Sequence, residues 1–206
     1  MGKIKILLAD DHAVVRMGLI SLLGMEQDLD VIAEARDGNE AISRAEASHP
    51  DVAILDLMMP KCDGISATEE IRKVLPNCKI IILTSFGTSD GIAKALKAGA
   101  NGALLKNSAE VELVPAIHLV LDGGEFISKE IQEQFAIDPP IESLTKRQIE
   151  ILESIARGLS NDDIAKQYGI AKITVKNHIQ AIFTRIGASS RTEAATIALR
   201  KHLLKI

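Results

Sequence analysis

Aromatic side chains are nearly missing from this chain of 206 residues, which has no tryptophan, one tyrosine and four phenylalanines. That scarcity excludes a carbohydrate-stacking cleft and the base-stacking sheet of a single-strand RNA binder, both of which need exposed rings. The core must be aliphatic. Cysteine is just as scarce: Cys62 and Cys78 stand alone, in no CxxC or paired spacing, and offer no disulfide framework. No stretch reaches the roughly 18 to 20 apolar residues that a membrane span requires. The short apolar run after Lys3 and Lys5 ends at two aspartates, too brief and too acidic for a signal sequence, so a cytoplasmic protein with reduced thiols is expected. His12, His49, His118, His178 and His202 lack metal-ligand spacing and read as structural. Neither GxxxxGK[ST] nor a helix-opening GxGxxG occurs, which argues against nucleotide binding.

The remaining composition, 47% hydrophobic and 25% charged, is that of ordinary globular protein, and the length suits two small domains. The net charge of −4 hides an asymmetry. Residues 1–140 hold 13 Lys+Arg against 22 Asp+Glu, whereas residues 141–206 hold 11 against 6. An acidic front joined to a basic tail hints at nucleic-acid contact confined to the tail.

Five apolar runs recur in the front part: IKILLA (4–9), VIAEA (31–35), DVAILDL (51–57), KIIILTS (79–85) and GALLK (102–106). Amphipathic stretches of helical period separate them, so the pattern predicts βαβ units and a parallel sheet covered on both faces. The last helix of this part is expected to start at Ser108 as N-cap, with a kink or a late start at Pro115. Asp122-Gly123-Gly124 stops it, and residues 122–143, with Pro139-Pro140, read as a linker between a domain at 1–121 and a second at 144–206. Beyond the linker strand signals vanish. Thr145 with Gln148 forms a capping box, Ser160 caps a second helix, Gly169 makes a tight turn, and a third helix carries Val175, Ile179, Ile182, Phe183 and Ile186 on one stripe. Ser190 with Glu193 opens a fourth. Four short helices with a glycine turn between the second and third outline an all-α helix-turn-helix domain.

Ligands of open parallel sheets sit beyond the carboxyl ends of the strands. There the sequence places Asp10 and Asp11, Asp56, Thr84 with Ser85, and Lys106. Each alone reads better as a helix cap or a solvated strand end. Together, three carboxylates in one crevice would repel unless a divalent cation neutralised them, and all-oxygen ligands suit Mg²⁺. A lysine and a hydroxyl are the donors that a phosphoryl group needs, and an aspartate can itself be the nucleophile that accepts it. Met58-Met59 reads as packing and Cys62 as an incidental exposed thiol.

LLADDH (7–12), AILDLMMPKCDG (53–64), ILTS (82–85) and AGANGALLK (98–106) resemble the receiver domain of two-component response regulators. LTKRQIEILESIARGLSNDDIA (144–165) and TVKNHIQAIFTRIGASSRTEA (174–194) are similar to the LuxR-type helix-turn-helix, so the whole chain resembles the NarL/FixJ family. The resemblance implies a doubly wound five-stranded parallel sheet of order 2-1-3-4-5 followed by the four-helix domain. It also implies that Asp56 takes a phosphoryl group from a sensor histidine kinase, that Asp10, Asp11, Asp56 and the Met58 backbone carbonyl hold Mg²⁺, and that Thr84 and Lys106 contact the phosphoryl oxygens. Two positions depart from the family: Ala103 stands where many receivers have an aromatic switch residue, and Asn107 where many have a proline in a cis peptide.

On the third tail helix Ile173, Asn177, Gln180 and Thr184 point away from the apolar stripe, with Lys176 on the shoulder. Asn and Gln suit adenine and Lys suits guanine or phosphate in a major groove, with Lys172, Arg185 and Arg191 as phosphate anchors and Thr174 beside them. Ala171 stands where the family has a capping serine, so the helix start is expected to fray without DNA. The function implied is a phosphorylation-dependent transcriptional regulator, not an enzyme, that forms a homodimer when phosphorylated and binds double-stranded promoter DNA away from any membrane. The alternative is a phosphorylation-independent DNA-binding regulator whose receiver serves only for dimerisation. An aspartyl-phosphate phosphatase would need a second aspartate where Met58 stands.

Overall fold

The βαβ alternation in the sequence becomes a doubly wound sheet in the computed structural model, which describes residues 2–85, 88–141, 144–201, 203 and 204. The chain divides after Pro139 into two units. In the first, the strands are β1 (Ile4–Ala9), β2 (Leu29–Ala35), β3 (Val52–Asp56), β4 (Lys79–Thr84) and β5 (Gly102–Leu105). The helices between and after them are α1 (Ala13–Leu23), α2 (Gly38–Ser48), α3 (Gly64–Val74), α4 (Ser89–Lys97) and α5 (Ala109–Leu121). Because successive strand residues face opposite sides, the sheet feeds two aliphatic layers. Ile6, Leu8, Ile54, Ile81 and Leu83 pack with Leu19, Leu23, Leu113 and Ile117 of α1 and α5. Leu7, Leu55, Ile80 and Ile82 pack with Ala41, Ala67, Ile71 and Ile92 of α2, α3 and α4. Burial on both sides explains why the strands read as unbroken apolar runs.

Among the described residues the sheet keeps the expected order and adds a sixth strand at its edge, β2-β1-β3-β4-β5-β6, and the adjacent pairs are parallel. The sixth, β6 (Phe126–Ile127), and the helix α6 (Lys129–Ile137) lie in the segment that reads as linker. Pairing of Gly102 with Phe126 and Ala103 with Ile127 satisfies backbone groups that an edge strand would leave open. Ile131 is fully buried and Ile127 and Phe135 pack on the same layer. The sequence hides this helix because the Gly and Pro pairs on either side of it suggest a linker, although they flank it instead of filling it. Ala103 is fully buried under this strap, and its carbonyl accepts the Ser128 N–H at 3.0 Å.

Pro115 sits inside a continuous α5. The i−4 carbonyl it leaves without a donor belongs to Val111, an exposed residue, where water can take the missing place. Ser108 occupies the N-cap position of α5 as expected, but its side chain caps no backbone N–H: it ends a 3-10 turn over Lys106–Ser108, and its hydroxyl bonds the Leu105 carbonyl and the Glu112 carboxylate. No cis peptide occurs among the described residues.

In the second unit, α7 (Lys146–Ala156), α8 (Asn161–Tyr168), α9 (Lys172–Ile186) and α10 (Arg191–Arg200) enclose a core of Ile151, Leu152, Ile164, Val175, Ile182 and Ala194. Thr145 and Gln148 form the expected capping box, Ser160 caps α8, and the Ser190 hydroxyl accepts the Glu193 N–H. Gly169 ends α8 at φ +63, a left-handed turn that favours glycine and redirects the chain into α9. No helix among the described residues is long and apolar enough to cross a membrane.

Candidate functional site

β1 and β3 lie side by side, so their carboxyl ends deliver Asp10 and Asp56 to one crevice. Both side chains are almost fully buried, and Asp11 beside them is exposed. The Lys106 ammonium, carried just past β5, lies 2.5 Å from Asp10 Oδ2 and 2.7 Å from Asp56 Oδ2. Asp56 Oδ1 accepts a long 3.3 Å bond from the Met58 N–H. Burial pushes the Asp56 carboxyl above its ordinary range; Lys106 pulls it partly back, and the neighbouring Asp10 adds to the rise. For Lys106, burial works against the charged form, but bonds to the two carboxylates outweigh it and hold the ammonium above its usual value.

Ligand atoms from Asp10, Asp11, His12 and Asp56 all lie within 4.8 Å of one another. His12 reads as a structural histidine in the sequence, yet its Nδ1 is 2.7 Å from Asp11 and 3.5 Å from Asp10, an inclusion that its adjacency to the aspartate pair could have signalled. Thr84 is buried at the end of β4, with its backbone paired to Leu105 just before the lysine. Met58 is exposed and Met59 buried, so only Met59 has the packing role expected of both. Arg16, which carries no motif in the sequence, donates to the Asp10 carbonyl at 2.7 Å.

The loop after β3 is held from several sides. Lys61, at φ +65, reaches Asp37 at the start of α2 with a 2.6 Å contact, and Gly38 N–H bonds the Cys62 carbonyl. At the start of α3, a Cβ on Gly64 would stand 2.3 Å from the Asp56 carbonyl oxygen, so glycine lets the helix abut the site. Cys62 is half-buried, not exposed as expected, and burial raises its thiol; burial pushes Cys78 up to about 11. His202 lies outside the described residues.

In the second unit α9 turns Val175, Ile179, Ile182 and Ile186 inward and leaves Ile173, Lys176, Asn177, Gln180 and Thr184 exposed, as the periodicity requires. Ala171 makes no side-chain cap. The basic residues around this face differ in availability. Lys176 has no carboxylate partner among the described residues, whereas Lys172 lies 2.7 Å from Asp162 and Arg185 donates to Gln148 at 3.1 Å. Arg191 is engaged within the fold: one guanidinium nitrogen bonds Asn161 at 2.8 Å and the other bonds the Leu159 carbonyl. Thr174 is half-buried at the first turn.

Residues 6–118 match the response regulator receiver domain, and residues 142–198 match the luxR family of bacterial regulatory proteins. Over its length the chain is 41% identical to the transcriptional regulatory protein LiaR of Bacillus subtilis, covering 98% of this chain and 99% of that protein. It is 37% identical to the oxygen regulatory protein NreC of Staphylococcus aureus, at 98% and 99% coverage. Among solved structures, the response regulator ChrA of a heme-sensing two-component system aligns with a TM-score of 0.58 at 35% identity, covering 99% of this chain and all of that one. RcsB in a DNA complex aligns with a TM-score of 0.71 over 96% and 98% of the two chains, and at 22% identity this speaks for the fold alone. Two independent domain matches, in one order and spanning nearly the whole chain, place it among the two-component response regulators: it belongs to the NarL/FixJ family, in which a receiver domain precedes a LuxR-type DNA-binding helix-turn-helix and the whole regulates transcription.

Proposed function

We propose that this regulator is switched by phosphorylation of Asp56 and then acts on promoter DNA as a dimer. The observation that carries the reading is the Lys106 ammonium shared by two buried strand-end carboxylates, Asp10 and Asp56, with Asp11 alongside. Three carboxylates against one ammonium leave the crevice net negative, and its oxygen-rich donor set fits Mg²⁺. Asp10, Asp11, Asp56 and the Met58 carbonyl would hold the ion, which when bound offsets negative charge on the carboxylates and on a phosphoryl group.

The chain's own residues supply the rest. A carboxylate oxygen of Asp56 bonds to phosphorus as the bond from phosphorus to an imidazole nitrogen of a sensor histidine kinase breaks, and the imidazole leaves with that electron pair. Lys106 then pairs with a phosphoryl oxygen in place of the carboxylate, and the Thr84 hydroxyl donates to another. The added charge shifts a pre-existing equilibrium towards a dimer, in which α10 pairs the helix-turn-helix units over two half-sites. Asn177, Gln180 and Lys176 face the bases, Thr174 lies beside them, and Lys172, Arg185 and Arg191 face phosphates after sharing or releasing their intramolecular partners. The setting is the cytoplasm, and no catalytic turnover is expected, since Met58 leaves no second acid at the place a phosphatase needs one.

The test is Asp56→Asn. Acetyl phosphate with Mg²⁺ should label the natural chain, beryllofluoride should give dimers and promoter binding, and the variant should show neither. Dimers and DNA binding that persist in the variant would leave the receiver as a phosphorylation-independent dimerisation module.

A further inference from the structure

Only two large hydrophobic side chains among the described residues of the second unit are well exposed, Leu199 on α10 and Ile173 on α9. A single exposed aliphatic residue is ordinary on a protein surface. Its position is what distinguishes Ile173. It stands in the first turn of α9, on one line with Asn177, Gln180 and Thr184, the exposed face of the helix expected to enter the major groove. It is 63% exposed and takes no part in the core around Val175, Ile179 and Ile182. Isoleucine is a poor choice for an exposed helical turn, because its branched side chain loses rotamer freedom and leaves apolar surface in water. Nothing among the described residues of this unit packs on it as core, and its position points to an external use.

In a major groove lined by donors and acceptors, the C5-methyl of thymine is the one apolar feature on the edges of the four bases. The neighbouring Asn177 and Gln180 carry the donor and acceptor pair that suits adenine, and so the face as a whole is built for A·T steps. We propose that Ile173 is a specificity-determining residue that packs on the C5-methyl of a thymine in each half-site, next to the base pairs read by Asn177 and Gln180. This rests on α9 being the DNA-reading helix, and it adds a methyl contact to the polar contacts already assigned.

The experiment removes that methyl and nothing else. Duplexes selected by the full chain from a random pool, with and without beryllofluoride, are resynthesised with deoxyuridine in place of each thymidine in turn. At one thymine per half-site the natural chain should bind about fourfold more weakly, the effect of one buried methyl-sized group. I173A should bind the unmodified duplex about fourfold more weakly and be indifferent to deoxyuridine at that position, while I173V keeps part of the discrimination. If every deoxyuridine costs I173A as much as it costs the natural chain, the assignment is overturned while the reading of α9 stands. A natural chain that enriches no common sequence overturns the DNA reading itself, and this assignment with it. The exposure of Ile173 keeps the variants folded, and equal melting temperatures verify this.

Discussion

Adding one methyl group at Gly64 should separate α3 from the phosphorylation site. The alanine Cβ would lie 2.3 Å from the Asp56 carbonyl oxygen, 3.0 Å from the Leu57 Cα and 3.1 Å from the Asp56 carbonyl carbon, all backbone atoms that cannot rotate away. Real Cβ atoms essentially never come within 3.0 Å, so the helix start and the strand end must part by about 0.7 Å. The Gly64 N–H bond to the Leu57 carbonyl, now 3.0 Å, is strained by the same movement. Overpacking of this kind costs roughly 1 to 3 kcal/mol, and about 2 kcal/mol lowers the melting temperature of a unit this size by roughly 8 °C. Gly18 is the control. It lies in the middle of α1, and a Cβ there would meet nothing within 4 Å, so Gly18→Ala should stabilise by about 0.5 to 1 kcal/mol through helix propensity alone. The assay is urea and thermal unfolding by far-UV circular dichroism. The only tyrosine, Tyr168, reports the second unit, so a transition without tyrosine change belongs to the first. Gly64→Ala that melts with the natural chain, or Gly18→Ala that melts below it, would refute the reasoning.

Two further predictions concern charge. Because burial raises the Asp56 carboxyl, its contribution to stability is full below the ordinary carboxylate pKa of about 3.9 and is lost as pH rises through the higher folded value. In the absence of Mg²⁺ the natural chain should therefore lose stability relative to Asp56→Asn as pH rises above about 4; urea midpoints that diverge in the opposite sense would contradict this. Arg191→Ala should weaken the second unit by roughly 1.5 to 3 kcal/mol, since the guanidinium ties the start of α10 to Asn161 and the Leu159 carbonyl. Tyrosine fluorescence during urea unfolding measures that loss, and an unchanged midpoint would leave Arg191 as a surface cation.

Much of the candidate site is legible in the sequence because its chemistry sits at strand ends. Asp10, Asp56, Thr84 and Lys106 each close an apolar run, and parallel strands bring their carboxyl ends to one side. His12 is inconspicuous because it shows no ligand spacing along the chain: its partners are its immediate neighbours and Asp56, which a separate strand brings to it. For Arg191 the charge that suggests a phosphate anchor is visible in sequence, but the distant Asn161 and Leu159 carbonyl that engage it within the fold are not.

The sequence alone determined the two-unit order, five of the six strands, the four tail helices and the face of α9 that meets solvent. Periodicity and caps are local, so residues within a turn or a strand suffice to write them. Only the tertiary structure decided that Phe126–Ile127 and α6 close the edge of β5, that Lys106 is shared between Asp10 and Asp56, and which cations are held by intramolecular partners. Those outcomes depend on partners many residues apart, whose pairing is set by burial and sheet register and leaves no local signature.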